Sequence, residues 1–283
     1  MILVADSGST KCDWALLNED GFKPYSTQGF NPMFHSSQMV IDGIKANPNF
    51  VAKAPYVTEI YYYGAGCQNA VLNRIIENGL AEVFSNADIH VDHDLTAAVR
   101  ATAGNKAGIS CILGTGSNLA YSDGNEMHTI ISGLGYVLGD EGSGTYFGKR
   151  LLADFLYGNL PKNMEAELRD IYKLNKDVII KNVYMKPHAN VYISQFMRLV
   201  SAHKKEQYVQ ELVFEGLSRF LEVHVMRFEA YKNVPVHFVG SIAYYFNETL
   251  NKACQERGIT LGKVVKKPIE SLVEFHRQTI NQA

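Results

Sequence analysis

The sequence predicts an α/β protein of two like domains, each running βββαβαβα, with a helical insertion in the second and a ligand cleft between them. Three observations predict it. An apolar run meets a Gly/Ser/Thr corner and leaves as a second strand-like run twice, first along Ile2-Leu3-Val4-Ala5-Asp6-Ser7-Gly8-Ser9-Thr10 and again along Ile109-Ser110-Cys111-Ile112-Leu113-Gly114-Thr115-Gly116-Ser117. The order of strand and helix patterns that follows each corner is the same. With 283 residues, 46% apolar and 20% charged, the chain is long enough for two cores of ordinary composition.

In order, strands are predicted at 2–5, 12–18 and 22–27, the last two parted by the turn Glu19-Asp20-Gly21. Gly29-Phe30-Asn31-Pro32 breaks the pattern, and a helix spans 36–46 on the apolar side of Met39, Val40, Ile41 and Ile44. A strand at 59–63 stops at Gly64-Ala65-Gly66, a helix covers 68–84, and a strand at 88–91 leads directly into a helix at 94–102. The second half repeats this with strands at 109–113, 118–122 and 127–131 and a turn at Ser122-Asp123-Gly124-Asn125. Helical patterns at 144–155, 166–172, 177–185, 190–202 and 207–230 form the insertion. A strand at 236–239, a helix at 242–257, a strand at 262–265 and a helix at 269–280 complete the repeat. The domains are expected at 1–106 and 107–268, the insertion at about 144–230, and the C-terminal helix at about 269–283 is a candidate to pack on the first domain.

A net charge of −2 without a basic stripe argues against nucleic acid and anionic membranes as partners. Cys12, Cys67, Cys111 and Cys254 are isolated, with no CxxC pair and no zinc spacing, and read as reduced thiols. Met1 passes straight into a strand, and no apolar run approaches the roughly 20 residues of a membrane span, so a cytoplasmic protein is expected. A homodimer is among the arrangements the sequence allows.

The two corners carry the chemistry. Glycines at 114 and 116 allow a sharp turn and a close backbone approach, and Thr115 and Ser117 add hydroxyls beside exposed N–H groups, which suits an anionic phosphate. Ser9 and Thr10 offer the same in the first corner, with Lys11 just beyond. Tight hairpins use the same residues and bind nothing, but two at matching places in a repeat favour binding. Asp6, at a strand end, suits Mg²⁺ held through water, since Mg²⁺ takes few protein ligands and keeps its waters; an Asp capping the turn is the plainer reading. Asp94 stands at a strand-to-helix junction, where a helix N-terminus keeps a carboxylate ionised and able to accept a hydroxyl proton. A plain N-cap is the alternative, and Asp92 is the neighbour that competes for the role. His90 and His93 flank these acids without a further ligand set and read as structural.

In the block Gly135-Tyr136-Val137-Leu138-Gly139-Asp140-Glu141-Gly142-Ser143-Gly144, glycine density favours backbone wrapped around a ligand over a simple helix start. Asp140 has the two oxygens needed for adjacent hydroxyls. Gly240-Ser241, between a strand and a helix, resembles the adenosine motif of an ATPase family, which implies Tyr244 and Phe246 as adenine neighbours or core aromatics.

Together these features resemble the actin and hexokinase type of ATPase, with two ribonuclease H-like (actin-like ATPase) domains. Asp6-Ser7-Gly8-Ser9-Thr10 resembles its first phosphate loop, Leu113-Gly114-Thr115-Gly116-Ser117-Asn118 its second, and Val239-Gly240-Ser241-Ile242-Ala243 its adenosine motif. The Gly135 to Gly144 block resembles the sugar loop of the N-acetylglucosamine kinase branch, classed with the BadF/BadG/BcrA/BcrD ATPases. The resemblance implies an ATP- and Mg²⁺-dependent kinase acting on the 6-hydroxyl of an N-acetylated hexosamine, most directly N-acetylglucosamine. It implies Asp94, rather than Asp92, as the catalytic base. It assigns Ser9, Thr10, Lys11, Gly114, Thr115, Gly116, Ser117, Gly240 and Ser241 to the nucleotide, Asp6 to Mg²⁺ through water, and Asn31, Gly64, Ala65, Asn118, Gly135, Tyr136 and Asp140 to the sugar. Leu134 stands where the animal enzymes carry an aromatic residue, a departure that lies beside the sugar. Two other expectations stand beside it: an ATPase activating a 2-hydroxyacyl-CoA dehydratase, which needs cluster-binding cysteines, and a non-catalytic nucleotide or sugar sensor.

Overall fold

The computed structural model describes residues 1–8, 11–18, 21–130 and 133–280. The chain divides into two compact units, residues 1–105 with the C-terminal segment from Lys267, and residues 106–266.

Unit 1 is a five-stranded sheet between two layers of helix. β1 (Ile2–Ser7), β2 (Lys11–Asn18) and β3 (Gly21–Gln28) form an antiparallel meander. α1 (Ser37–Lys45) and α2 (Pro48–Val51) follow, then β4 (Glu59–Gly64), α3 (Ala70–Ala81), β5 (Asp88–His93) and α4 (Asp94–Thr102). β4 and β5 add parallel to β1, giving the order β3-β2-β1-β4-β5. Strand side chains alternate between faces, and this sheet buries both. Leu3, Ala5, Trp14 and Leu16 meet Val40, Ile44, Ile76 and Leu80 on one face. Val4, Ala15, Leu17 and Tyr63 meet Ala97 and Ala101 of α4 and the C-terminal helix on the other. Ser36 caps α1 by accepting from the N–H of Met39, and Asn69 caps α3 by accepting from those of Val71 and Leu72.

Unit 2 repeats the sheet. β6 (Gly108–Leu113), β7 (Ser117–Ser122) and β8 (Met127–His128) form the meander, and β9 (Val236–Val239) and β10 (Leu261–Val265) add parallel, in the order β10-β9-β6-β7-β8. Between β8 and β9 lie α5 (Gly135–Leu138), α6 (Gly144–Tyr157), α7 (Lys162–Asp170), α8 (Lys176–Tyr184), α9 (Ala189–Ser194), α10 (Met197–Ala202) and α11 (Gln207–Val223). After β9 come α12 (Ser241–Tyr245) and α13 (Asn247–Gln255), and the chain closes with α14 (Ile269–Ile280) in unit 1.

Several sequence-based boundaries differ, three of them where a side chain finds a tertiary partner. The strand expected at 127–131 is two residues long among those described, with 131 and 132 outside them. The helix expected at 190–202 breaks at Gln195–Phe196, where the Phe196 ring turns into the core, only 1% exposed. The helix at 242–257 breaks at Phe246, whose ring is also core, so of the two adenine candidates Phe246 is a packing residue. The helix at 207–230 stops at Val223, because His224 leaves the axis to meet Glu141.

α14 is tied to unit 1 through His276, only 3% exposed. Arg100 donates to the Tyr63 hydroxyl, and that hydroxyl lies 2.8 Å from His276 Nε2. The simplest polarity for this chain has Tyr63 donating to a neutral imidazole. Tyr61 stacks on the same ring at 3.9 Å. Burial, then the charge of Arg100 and of His90, pulls this histidine from 6.5 to about 4. Its folded value lies below its unfolded one, so the stabilisation is complete above pH 6.5 and is lost as pH falls towards 4. Up to about 3 kcal/mol of acid sensitivity is expected from this one group. Urea unfolding at several pH values should show that share disappearing in His276→Gln, whose amide still accepts from Tyr63.

Candidate functional site

In unit 1 the parallel strands β1, β4 and β5 end in one row. Ser7 pairs with Gly64, and Gly64 with His93, so the residues just before and after this row share one edge of the sheet. The carboxyl ends of parallel strands are where α/β sheets bind ligands. Asp6 and Asp94 reach this edge, from the end of β1 and the first residue of α4. The Asn31 side chain lies over the 64–66 turn: a Cβ on Gly66 would come within 2.3 Å of Asn31 Oδ1, and Gly66 has φ +85°. The Ala65 N–H donates to the Ser7 carbonyl at 3.0 Å, joining that turn to β1. The fold thus brings Asp6, Asn31, Gly64, Ala65 and Asp94 to one end of one sheet. Ser9 and Thr10 lie outside the described residues.

The charges here are mostly acidic. Asp6 is half-buried and faces Asp13 across the β1–β2 pair. Burial, then Asp94 and Asp13, pushes its carboxyl up to about 7, against a smaller opposing pull from Lys267. Asp13 bridges Lys11, at 2.5 Å, and Lys267, at 2.9 Å. Burial would raise Asp13, but the two lysines outweigh it and hold its carboxyl low. Lys267, which arrives from the far end of the chain, carried no sequence signal. No cluster of three metal-ligating side chains occurs among the described residues. A directly caged ion is therefore not built from them. Asp6, with Asp94 bearing on it, is a hard oxygen donor of the kind that a Mg²⁺ keeping its waters uses.

In unit 2 the equivalent strand ends carry the glycine corner and the Gly240 turn. Gly114 N–H donates to the Gly116 carbonyl at 3.0 Å, closing the corner. Gly144 and Thr145 donate to the carbonyls of Gly114 and Thr115 at 2.8 and 3.0 Å, which fastens α6 to it. The Ser117 hydroxyl is buried without a hydrogen-bond partner, an open polar group at the corner. A Cβ on Gly240 would sit 2.2 Å from the Leu113 carbonyl oxygen, so Gly240 and Ser241 lie against the Gly114 corner.

Asp140 completes this cluster. It has φ +59°, a strained conformation for a non-glycine residue, and its carboxylate accepts from the Ser117 N–H at 3.3 Å and the Thr145 hydroxyl at 3.4 Å. Burial raises its carboxyl, with those two donors opposing. Gly135 has φ +73° and opens α5, whose Val137 and Leu138 are 72% and 76% exposed. The Tyr136 carbonyl accepts from Lys149 of α6, a second cation unseen in the sequence. Asn118 Oδ1 accepts from the N–H of Leu119, and its side chain passes close to Gly133. Next to Asp140, Glu141 is 2.9 Å from His224 Nε2; burial would raise Glu141, but His224 outweighs it and holds its carboxyl low. A groove of about 720 Å³ runs beside α11, α12 and α13, lined in part by Phe214, Tyr244, Tyr245 and Lys252. Lys266 lies over the Tyr245 ring at 4.6 Å.

No protein-family model matches the chain, and no curated protein matches it. Solved structures do. A candidate N-acetylglucosamine kinase from Porphyromonas gingivalis is 34% identical over 99% of this chain and 100% of its own, with a TM-score of 0.94. A candidate N-acetylglucosamine kinase from Chromobacterium violaceum is 17% identical over 97% of this chain and 98% of its own, at 0.67. A Streptomyces griseus glucokinase of the ROK family, in complex with glucose and AMPPNP, is 14% identical over 98% of each chain, at 0.55. The last two show a shared fold.

Proposed function

Since the chain belongs to the N-acetylglucosamine kinase-like family of sugar kinases, within the actin-like ATPase superfamily, we propose that it transfers the γ-phosphoryl group of ATP to the 6-hydroxyl of N-acetylglucosamine. The acidic pair Asp6 and Asp94 carries this reading. Both carboxylates stand on one strand-end edge, and burial, then the charges of Asp94 and Asp13, pushes Asp6 to about 7, an arrangement that a bound cation would relieve.

Each residue then has a task. Asp94 accepts the proton of the sugar hydroxyl as its oxygen bonds to the γ-phosphorus and the bond from that phosphorus to the bridging oxygen of ADP breaks. Gly114, Thr115, Gly116 and the unpartnered Ser117 hydroxyl hold phosphate oxygens, and the same task is proposed for Ser9, Thr10 and Lys11. Gly240 and Ser241 take the adenosine, with the Tyr244–Tyr245 groove beside them. Asn31, Gly64, Ala65, Asn118, Gly135, Tyr136 and Asp140 bind the sugar. Mg²⁺, when bound through water at Asp6, neutralises phosphate charge. Cys12, Cys67, Cys111 and Cys254 are all buried, which disfavours the dehydratase-activating alternative.

ADP release measured over glucose, glucosamine, N-acetylglucosamine and N-acetylmuramic acid tests the substrate. N-acetylglucosamine is expected to lead glucose in kcat/KM by about 100-fold, since a site that hydrogen-bonds the acetamido group leaves polar atoms unpaired with glucose. A preference for glucose would overturn the substrate, and no turnover with any sugar would overturn the kinase reading.

A further inference from the structure

We propose that His93 is a positioning residue for Asp94, its Nδ1 switching between capping α4 and holding the Asp94 carboxylate. The inference rests on Asp94 being the base of the proposed reaction, and it starts from a conflict at one nitrogen. His93 Nδ1 lies 3.1 Å from the Leu95 N–H, which donates to it as the N-cap of α4. The same Nδ1 lies 2.8 Å from Asp94 Oδ1. The first contact needs a bare lone pair and the second needs a proton, and one ring nitrogen supplies only one of them at a time. Apart from this histidine, Asp94 Oδ1 is buried with no hydrogen-bond partner.

Two states follow. With Nδ1 protonated, the imidazolium donates to Oδ1, the carboxylate is stabilised in place, and its basicity falls. With Nδ1 bare, it accepts from Leu95, α4 is capped, and Oδ1 is released to take a proton from a substrate hydroxyl. The neutral histidine is the active state, so turnover rises as pH passes through the His93 titration.

The surroundings place that titration where it matters. Burial alone would lower His93, but the hydrogen bond and charge of Asp94, with Asp92 behind, outweigh it and raise it above 6.5. Asp92 Oδ1 accepts from the His93 backbone N–H at 2.7 Å and from the Thr96 hydroxyl at 2.9 Å, fixing the junction. Beyond these, Asp6 on β1 bears on Asp94. The Cys67 thiol, pushed to about 12 by burial, Asp94, Asp92 and Glu77, stays neutral. Each charge bearing on His93 itself is acidic.

The kcat–pH profiles of the wild type and His93→Asn, together with NMR titration of the His93 ring, test this. Asparagine caps a helix and carries no titrating proton. The wild-type acid limb is expected above 6.5. In His93→Asn the limb should move down by more than about 1 pH unit, with kcat near pH 8.5 lowered by less than about tenfold and the KM for ATP within about threefold. In Asp94→Asn the His93 ring should titrate lower than in wild type. Coincident limbs, or a ring titration unchanged by Asp94→Asn, overturn the proposal while leaving the kinase reading intact. Should the wild type phosphorylate no sugar, the kinase reading fails and the role of His93 falls with it.

Discussion

Asp94→Asn is expected to lower kcat by about 1000-fold, the usual scale for loss of a general base, with nucleotide affinity kept within about threefold. The amide matches the carboxylate in shape and keeps its place at the start of α4, but it cannot take a hydroxyl proton. The folded protein should lose little, because α4 gives up a helix-terminus charge worth about 0.5 kcal/mol and the His93 contact, while the repulsion on Asp6 is relieved. Asp6 supplies a second readout. Asp94 is one of the two acids that, with burial, hold it near 7, so its titration should drop in the variant. Steady-state kinetics with ADP detection, calorimetric nucleotide binding and carboxyl-carbon NMR measure the three effects. A variant within about tenfold of wild type would remove Asp94 from the role.

Gly240→Ala should be strongly damaging although it lies away from the acids. Gly240 has φ 123° and ψ 163°, a region that is essentially glycine's alone. An added Cβ would meet the Leu113 carbonyl oxygen at 2.2 Å, a backbone atom that cannot swing aside. The strand ends of β6 and β9 must part, and with them Gly240-Ser241 and the Gly114 corner. A loss of about 3 kcal/mol or more in stability is expected, with weakened nucleotide binding. Gly135→Ala is the control: φ is +73° there, but nothing lies within 4 Å of the new Cβ, so about 1 kcal/mol is the expected scale. Urea unfolding and nucleotide titration of both variants separate steric conflict from simple loss of glycine freedom.

Much of this was legible in the chain because local chemistry and fold agree. The glycine corners and the alternating runs beside them suit antiparallel hairpins, and the small residues after Asp94 suit a helix packed closely on a sheet. The continuous apolar run Ile2-Leu3-Val4-Ala5 suits a strand buried on both faces, but which helices cover each face is not written in it, and α4 and α14 cover one of them. What escaped the sequence depends on partners distant along it. Lys267 reaches Asp13 across 254 positions, and His224 reaches Glu141 across 83. The ends of α9, α11 and α12 are set by where Phe196, His224 and Phe246 find partners, so helical periodicity runs on past them. His93 is the clearest case. A histidine before an aspartate has no distinctive spacing, and its double contact exists only because β5 delivers it to the first turn of α4.

The most direct test is the product itself. Wild-type protein with ATP, Mg²⁺ and N-acetylglucosamine, followed by phosphorus NMR with proton coupling, should give a phosphomonoester split by the two protons on carbon 6, formed in step with ADP. That signal should be missing on the same timescale in Asp94→Asn. An ester on another carbon, inorganic phosphate in place of an ester, or equal product from the variant would contradict the assignment of Asp94 as the base of a 6-hydroxyl sugar kinase.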